Sequence, residues 1–131
     1  MIYTSYFANI KKLPKDCVPI SISRFPPVGF KGICYKKLAP PSDMLLDYKN
    51  SSMAEKSYEE KYIECVLAKL NPKEVAGDLY CISGVMYDAR KSHVVLCCFE
   101  TPDEFCHRHI VAKWFCDAGI TVEEYKNERK H

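Results

Sequence analysis

The sequence has no run of about 18 apolar residues, the length that a membrane-spanning helix needs. It also lacks the layout of a secretory signal. Residues 1–10 mix apolar and polar side chains, and the basic residues Lys11, Lys12 and Lys15 follow this segment instead of preceding it. We therefore expect a cytoplasmic location and no membrane partner.

A long basic run is missing as well. The chain has 19 basic and 17 acidic residues, for a net charge of +2, so a broad nucleic-acid surface is not indicated, although a local basic patch is not excluded. The composition is 47% hydrophobic and 27% charged, which is ordinary for a globular protein. Since 131 residues is a common size for one domain, we expect a single α/β domain over residues 1–131.

No Cys-x-x-Cys pair occurs, and this removes the usual spacing of zinc ribbons and of thioredoxin-like redox motifs. The chain is nevertheless rich in cysteine, with eight residues of this type. Because no export signal accompanies them, we expect reduced thiols and no disulfides. We expect most of them to pack as small apolar side chains.

Alternating and helical hydrophobic patterns predict the secondary structure. The predicted strands are residues 2–7, 17–23, 94–99 and 120–124. The predicted helices are residues 43–49, 52–70, 72–86 and 104–118. This order predicts an α/β fold with a small, mostly parallel sheet of about four strands, flanked by helices in a Rossmann-like three-layer arrangement.

Three helix starts carry local signals. Ser42 is a candidate N-cap, and Ser52 with Glu55 forms a Ser-x-x-Glu capping box. Asn71 followed by Pro72 has the pattern of an N-cap and a first-turn proline.

The densest group of reactive side chains follows the third predicted strand. In open α/β sheets, ligands bind beyond the carboxyl ends of strands, and alternation places Cys98 and Glu100 on one face. A helix start and a neighbouring arginine favour a thiolate at Cys106. His107 is expected to titrate near neutrality, and an arginine fork such as Arg108 binds carboxylate or phosphate. The predicted catalytic residues are Cys106, His107, Cys98 and Glu100, with Arg108 as an anion ligand.

Two further residues are predicted at the same anion site. Arg24 follows the second predicted strand and Ser5 ends the first, so both are expected near the same edge of the sheet. A surface arginine with a packed stem is the alternative for Arg24. Tyr58 and Tyr62, one helical turn apart, are interpreted as packing residues.

Three functions remain open. The first is an enzyme, or an enzyme-like pocket, for a nucleotide, a nucleobase or another anionic small molecule. The second is a zinc or iron protein, because Cys98, Cys106 and His107 supply suitable ligands, although their spacing matches no common structural site. The third is a non-catalytic module that binds nucleic acid or protein through this face. The residues name no cofactor.

The sequence resembles the domain of unknown function 488 family. The resemblance rests on L-C-C-F-E at residues 96–100 and C-H-R-H at residues 106–109, followed by an amphipathic helix. Further landmarks are residues 3–5, residues 24–26 and the Tyr58–Tyr62 pair. Where many relatives have an acidic residue two positions before the arginine, this chain has Ile22. The resemblance implies a small α/β fold and a shared site, and it implies no particular activity.

Overall fold

The structure is a computed structural model that describes residues 1–50, 53–88 and 90–127. Five strands in these ranges form one parallel sheet: β1 (Ile2–Tyr6), β2 (Cys17–Ser21), β3 (Ile33–Cys34), β4 (His93–Cys98) and β5 (Val122–Glu124). Their order across the sheet is β3-β2-β4-β1-β5, and every neighbouring pair is parallel. The predicted parallel sheet is confirmed, and β3 is a strand that the sequence did not indicate.

Four α-helices accompany the sheet in the described part of the chain: α1 (Ser42–Lys49), α2 (Glu55–Cys65), α3 (Pro72–Ser83) and α4 (His107–Asp117). Helix α2 is shorter than predicted, because the chain tightens into a 3-10 turn at Leu67–Lys69. Its N-cap is Ala54, and the expected cap Ser52 lies outside the described residues. None of the described helices is long and apolar enough to cross a membrane.

Both faces of the sheet are covered, which confirms the three-layer arrangement. On one face, side chains of the central strands such as Leu96 pack against helical residues such as Tyr62 and Phe115. On the other face, Val95 and Cys97 form a smaller cluster beside the 3-10 helix Phe7–Lys12. The sheet therefore separates a large helical core from a thinner second layer.

Strand β4 is central because its sequence is apolar on both faces. Val94, Val95, Leu96 and Cys97 are each fully buried. The strand pairs with β1 on one side and with β2 on the other. A continuous apolar run is what a parallel strand covered on both faces requires.

The connections after β2 and β4 lead in opposite directions along the sheet. Strand β2 continues to the edge strand β3, whereas β4 continues through α4 to the opposite edge strand β5. A crevice therefore forms beyond the carboxyl ends of these two neighbours, where open α/β proteins bind their ligands.

Candidate functional site

A cleft of about 120 Å³ lies at this edge of the sheet. The chain beyond β2 and the segment between β4 and α4 form one side, and residues of α1 and α2 form the other. Its polar lining includes Arg24, Lys49, Tyr58, Glu100, Cys106 and His107. Of the four predicted catalytic residues, Glu100, Cys106 and His107 thus line one cleft with Arg24, whereas Cys98, which was expected there as well, does not line it.

Two cysteines and a histidine converge beside this cleft. Cys98 ends β4, Cys106 is the N-cap of α4, and His107 is the first residue of that helix. One ligand atom from each lies within 4.8 Å of the others. The exposed fractions are 1% for Cys98, 3% for Cys106 and 6% for His107, so all three residues are buried and the cluster can be reached only through the cleft that Cys106 and His107 line.

The sulfur atoms of Cys98 and Cys106 are in direct contact, as close as in a disulfide pair. A disulfide and shared ligation of one metal ion both bring two sulfur atoms together, so the expectation of reduced thiols stays a prediction for this pair. Their Cα atoms are 7.7 Å apart, whereas disulfides usually span roughly 4.4–6.8 Å between Cα atoms. Two sulfurs on a tetrahedral zinc ion lie roughly 3.8 Å apart, so shared metal ligation tolerates a wider backbone separation.

The orientation of His107 is fixed by a backbone carbonyl. Its Nε2 lies 2.8 Å from the oxygen of Ile22, just beyond β2, and a carbonyl only accepts, so Nε2 carries the hydrogen. This leaves Nδ1 without a proton in the neutral ring, 3.9 Å from the sulfur of Cys106. Burial, with a contribution from Arg108, lowers the pKa of His107 to about 4. The expectation that this ring titrates near neutrality is therefore wrong.

Arg108 is fully buried and belongs to the interior of the protein. Its Nε and Nη2 donate to both carboxylate oxygens of Glu124, at 3.0 and 2.9 Å. Its Nη1 donates to the sulfur of Cys98 at 3.2 Å and to the backbone oxygen of Glu100. The prediction that Arg108 binds an anionic ligand is corrected, because the anion that it binds is a carboxylate of the same chain.

Both Arg24 and Arg108 were expected to face a ligand cleft at this edge of the sheet, and only Arg24 does so. It lines the cleft and is partly exposed. Its Nε and Nη2 donate to the backbone oxygens of Pro40 and Ala39, at 3.1 and 3.3 Å. These bonds hold the guanidinium in place and leave Nη1 without a partner among the described residues. Lys49 adds a second positive charge to the same lining.

Ser5 is not part of this group. It is in register with Cys97, and both side chains point away from the face that carries Cys98. The Ser5 hydroxyl is buried and accepts a hydrogen bond from Asn9 at 3.1 Å. The structure therefore separates Ser5 from the cleft, because the alternation of strand β1 turns it to the opposite face.

The remaining cysteines divide by exposure. Cys17 and Cys97 are buried, as expected for packing residues, whereas Cys34, Cys81 and Cys116 are exposed. Cys65 is half-buried and packs against the core, so with the buried Cys98 and Cys106 five of the eight cysteines lie at least partly in the interior, as expected. Helix α3 shows the reason for Cys81: its apolar stripe is filled by Val75 and Leu79, and Cys81 lies on the outer face.

Two contributors to the site, Glu124 and the Ile22 carbonyl, were not predicted from the sequence. The ion-pair partner Glu124 is 16 residues away from Arg108 along the chain, on a different element. The carbonyl of Ile22 carries no side-chain signal at all. The only sequence signal for Glu124 was an acidic residue at the end of a predicted strand. This signal did not indicate which basic residue it would pair with.

Fold and site together define an α/β protein with a buried cysteine–histidine cluster at the carboxyl edge of a parallel sheet. A family model described as the Active DUF488-N3 subclade matches residues 2–119. The chain therefore belongs to this subclade of the domain of unknown function 488 family, as the resemblance of its motifs implied. No curated protein and no solved structure matches the chain at a significant level.

Proposed function

We propose that the protein binds a transition-metal ion, with zinc as the first candidate and iron as the second, through Cys98 Sγ, Cys106 Sγ and His107 Nδ1. The observation that carries the proposal is the convergence of these ligand atoms within 4.8 Å in a buried cluster. Thiolate sulfur and imidazole nitrogen are the ligands that zinc prefers in proteins. No other group of this composition, with three or more possible ligands, occurs in the described residues.

The contacts around the cluster support the same proposal. Metal-binding histidines usually donate their second ring N–H to a carbonyl or a carboxylate, and the Nε2 of His107 faces the Ile22 oxygen in this way. The Arg108 guanidinium lies 3.2 Å from the Cys98 sulfur, where it offsets the negative charge of a thiolate ligand. Both contacts hold ligands in orientations that suit a metal ion.

Three protein ligands leave a further coordination position on a tetrahedral ion. Catalytic zinc sites keep that position for water or substrate. Cys106 and His107 also line the cleft, so the open position would face a ligand bound there. The ion would then polarise the ligand or activate a water molecule. In this proposal Cys106 is a metal ligand and not a nucleophile.

The ligand of the cleft is proposed to be an anionic small molecule. Arg24 is held by two backbone carbonyls and keeps free donors, which suits the binding of a carboxylate or phosphate. Lys49 adds long-range attraction for a negative charge. This assigns to Arg24 the role that the sequence analysis assigned to Arg108.

Metal analysis of the purified protein tests the proposal. We expect about one zinc or iron ion per chain, as for a single site with one ligand set. The C98S, C106S and H107A variants should lose the ion, whereas C34S, which changes an exposed cysteine away from the cluster, should retain it. Substitution with cobalt should give sulfur-to-metal charge-transfer absorption in the wild type and in C34S only.

Two results would contradict the proposal. One is a wild-type protein that carries no metal after growth in metal-supplemented medium. The other is an intact mass under non-reducing conditions that shows Cys98 and Cys106 joined as a disulfide in freshly prepared protein. The second result would also favour thiol–disulfide chemistry at this pair.

A further inference from the structure

We infer that Tyr58 is a binding residue of the cleft and that the ligand is a nucleotide. Its base would lie against the aromatic lining and accept a hydrogen bond from Tyr58, and its phosphate would bind at Arg24. The inference rests on the ligand cleft of the proposed function and does not depend on the metal ion.

The hydroxyl of Tyr58 is the observation that carries this inference. The residue is 3% exposed, and it lines the cleft. Within the described chain no group forms a hydrogen bond with this hydroxyl. This hydroxyl is not among the buried polar atoms that lack a partner, so it opens onto the cleft, where it can bond to a ligand or to water.

Tyr62 provides an internal comparison one helical turn further on. The two rings are stacked, with centroids 6.4 Å apart and 6° between the ring planes. The hydroxyl of Tyr62 donates to the backbone oxygen of Leu38 at 2.5 Å. The hydroxyl of Tyr62 is therefore used within the chain, whereas that of Tyr58 is available to a ligand in the cleft.

The surroundings of Tyr58 make it a hydrogen-bond donor. Burial first, and the Glu100 carboxylate second, raise the pKa of its hydroxyl well above the ordinary value, so it stays protonated. A protonated phenol inside the cleft can donate to a carbonyl oxygen or a ring nitrogen of a ligand.

The aromatic lining indicates a flat ligand. The ring centroids of Tyr48 and Phe105 lie 5.1 and 5.4 Å from that of Tyr58. The three rings together form a continuous aromatic wall. Phe25 and Phe99 also line the cleft, and they are 64% and 50% exposed. Exposed aromatic rings at a cleft are suited to stacking on a nucleobase.

A nucleotide combines the three chemical features that the cleft would recognise. Its base offers a flat surface for the aromatic rings and an acceptor for Tyr58. Its phosphate matches the free donors of Arg24. The same unit occurs free or within a single strand of nucleic acid, and the experiment must distinguish these sources.

Calorimetry with the adenine, guanine, cytosine and uracil nucleoside monophosphates is the direct test. We expect at least one of them to bind the wild type, and Y58F to weaken it by about tenfold, as for the loss of one hydrogen bond from a desolvated site. Y62F is the matched control. It should lower the thermal unfolding temperature, because the Leu38 carbonyl loses its donor, and it should leave affinity unchanged within about twofold.

Ribose phosphate, which lacks the base, and a short oligothymidine complete the design. Binding of ribose phosphate as tight as that of the nucleotides would overturn the inference, as would equal affinity of Y58F and the wild type. Tighter binding of the oligothymidine would support a nucleotide within a strand, and preference for a monophosphate would support a free nucleotide. Metal content is measured on every variant, so a metal-free wild type that binds nucleotide through Tyr58 overturns only the proposed metal site.

Discussion

The side chain of Arg108 is the largest one that is fully buried in the described part of the protein. A buried guanidinium is tolerated only when its charge and its N–H groups have partners. Glu124 supplies both by accepting two parallel hydrogen bonds, and the Glu100 carbonyl takes a further donor. This ion pair therefore fixes the start of α4 against the end of β5.

We predict that loss of Glu124 is strongly destabilising. In E124A the charge of Arg108 stays buried without its partner, which should lower the free energy of unfolding by about 3 kcal/mol. The exposed pair of Lys113 and Asp117 is the control, since D117A should cost only about 0.3 kcal/mol. Urea unfolding measures both values. A cost of E124A that is no larger than that of D117A would show that the buried pair is not required.

The residues of the site differ in how far the sequence determines them. Cys98, Glu100, Cys106 and His107 were predicted together, because a strand followed by a short loop and a helix places them at one edge. The burial of Arg108 and its ion pair with Glu124 could not be predicted in this way. Its burial depends on a carboxylate that only the completed sheet brings close.

At the level of single elements, helix α3 has the clearest local determinant. The side chain of Asn71 accepts hydrogen bonds from the backbone N–H groups of Lys73 and Glu74, at 2.9 and 3.2 Å. Pro72 occupies the first turn, where no donor is needed. This start agrees with the sequence prediction. By contrast, Pro41 is the N-cap of α1 and has no side-chain acceptor, and the Asp43 carboxylate accepts from the N–H of Met44 at 2.9 Å.

We predict that the two candidate caps respond differently to alanine. N71A should lower the free energy of unfolding by about 1 kcal/mol, since it leaves two helix N–H groups without their acceptor. S42A should have almost no effect, because the structure gives Ser42 no capping role. Chemical unfolding of both variants provides the measurement, and similar losses would contradict the assignment of Asn71 as the cap.

Elements with local signals were predicted, and those that depend on tertiary pairing were not. Strand β4 and helix α3 lie close to their predicted positions. Strand β3 has only two residues and exists because β2 offers them an edge. Helix α4 begins at His107 and not near Glu104, because the Glu104 carboxylate accepts hydrogen bonds from Thr101 and holds a separate turn.

For the whole molecule, the cysteine–histidine cluster is a junction of three elements. Cys98 belongs to β4, while Cys106 and His107 begin α4. The bond from His107 to the Ile22 carbonyl adds the chain beyond β2. A metal ion bound here would fix the loop of residues 99–105 at both ends, whereas the sheet has its own hydrogen bonds and apolar core.

This arrangement predicts a local response to removal of the metal. A chelator such as phenanthroline should accelerate amide hydrogen exchange in residues 99–109 of the wild type, because the loop loses the constraint at both of its ends. Exchange in Ile2–Thr4 of β1 should stay unchanged, since these residues pair with Val94–Leu96 of β4 and with β5, and not with Cys98. Without chelator, C106S should already exchange in residues 99–109 as fast as the chelated wild type does. Addition of the chelator should not accelerate its exchange further. Equal acceleration across β1 and residues 99–109 would mean that the ion stabilises the whole fold, and no acceleration would contradict a metal constraint on this loop.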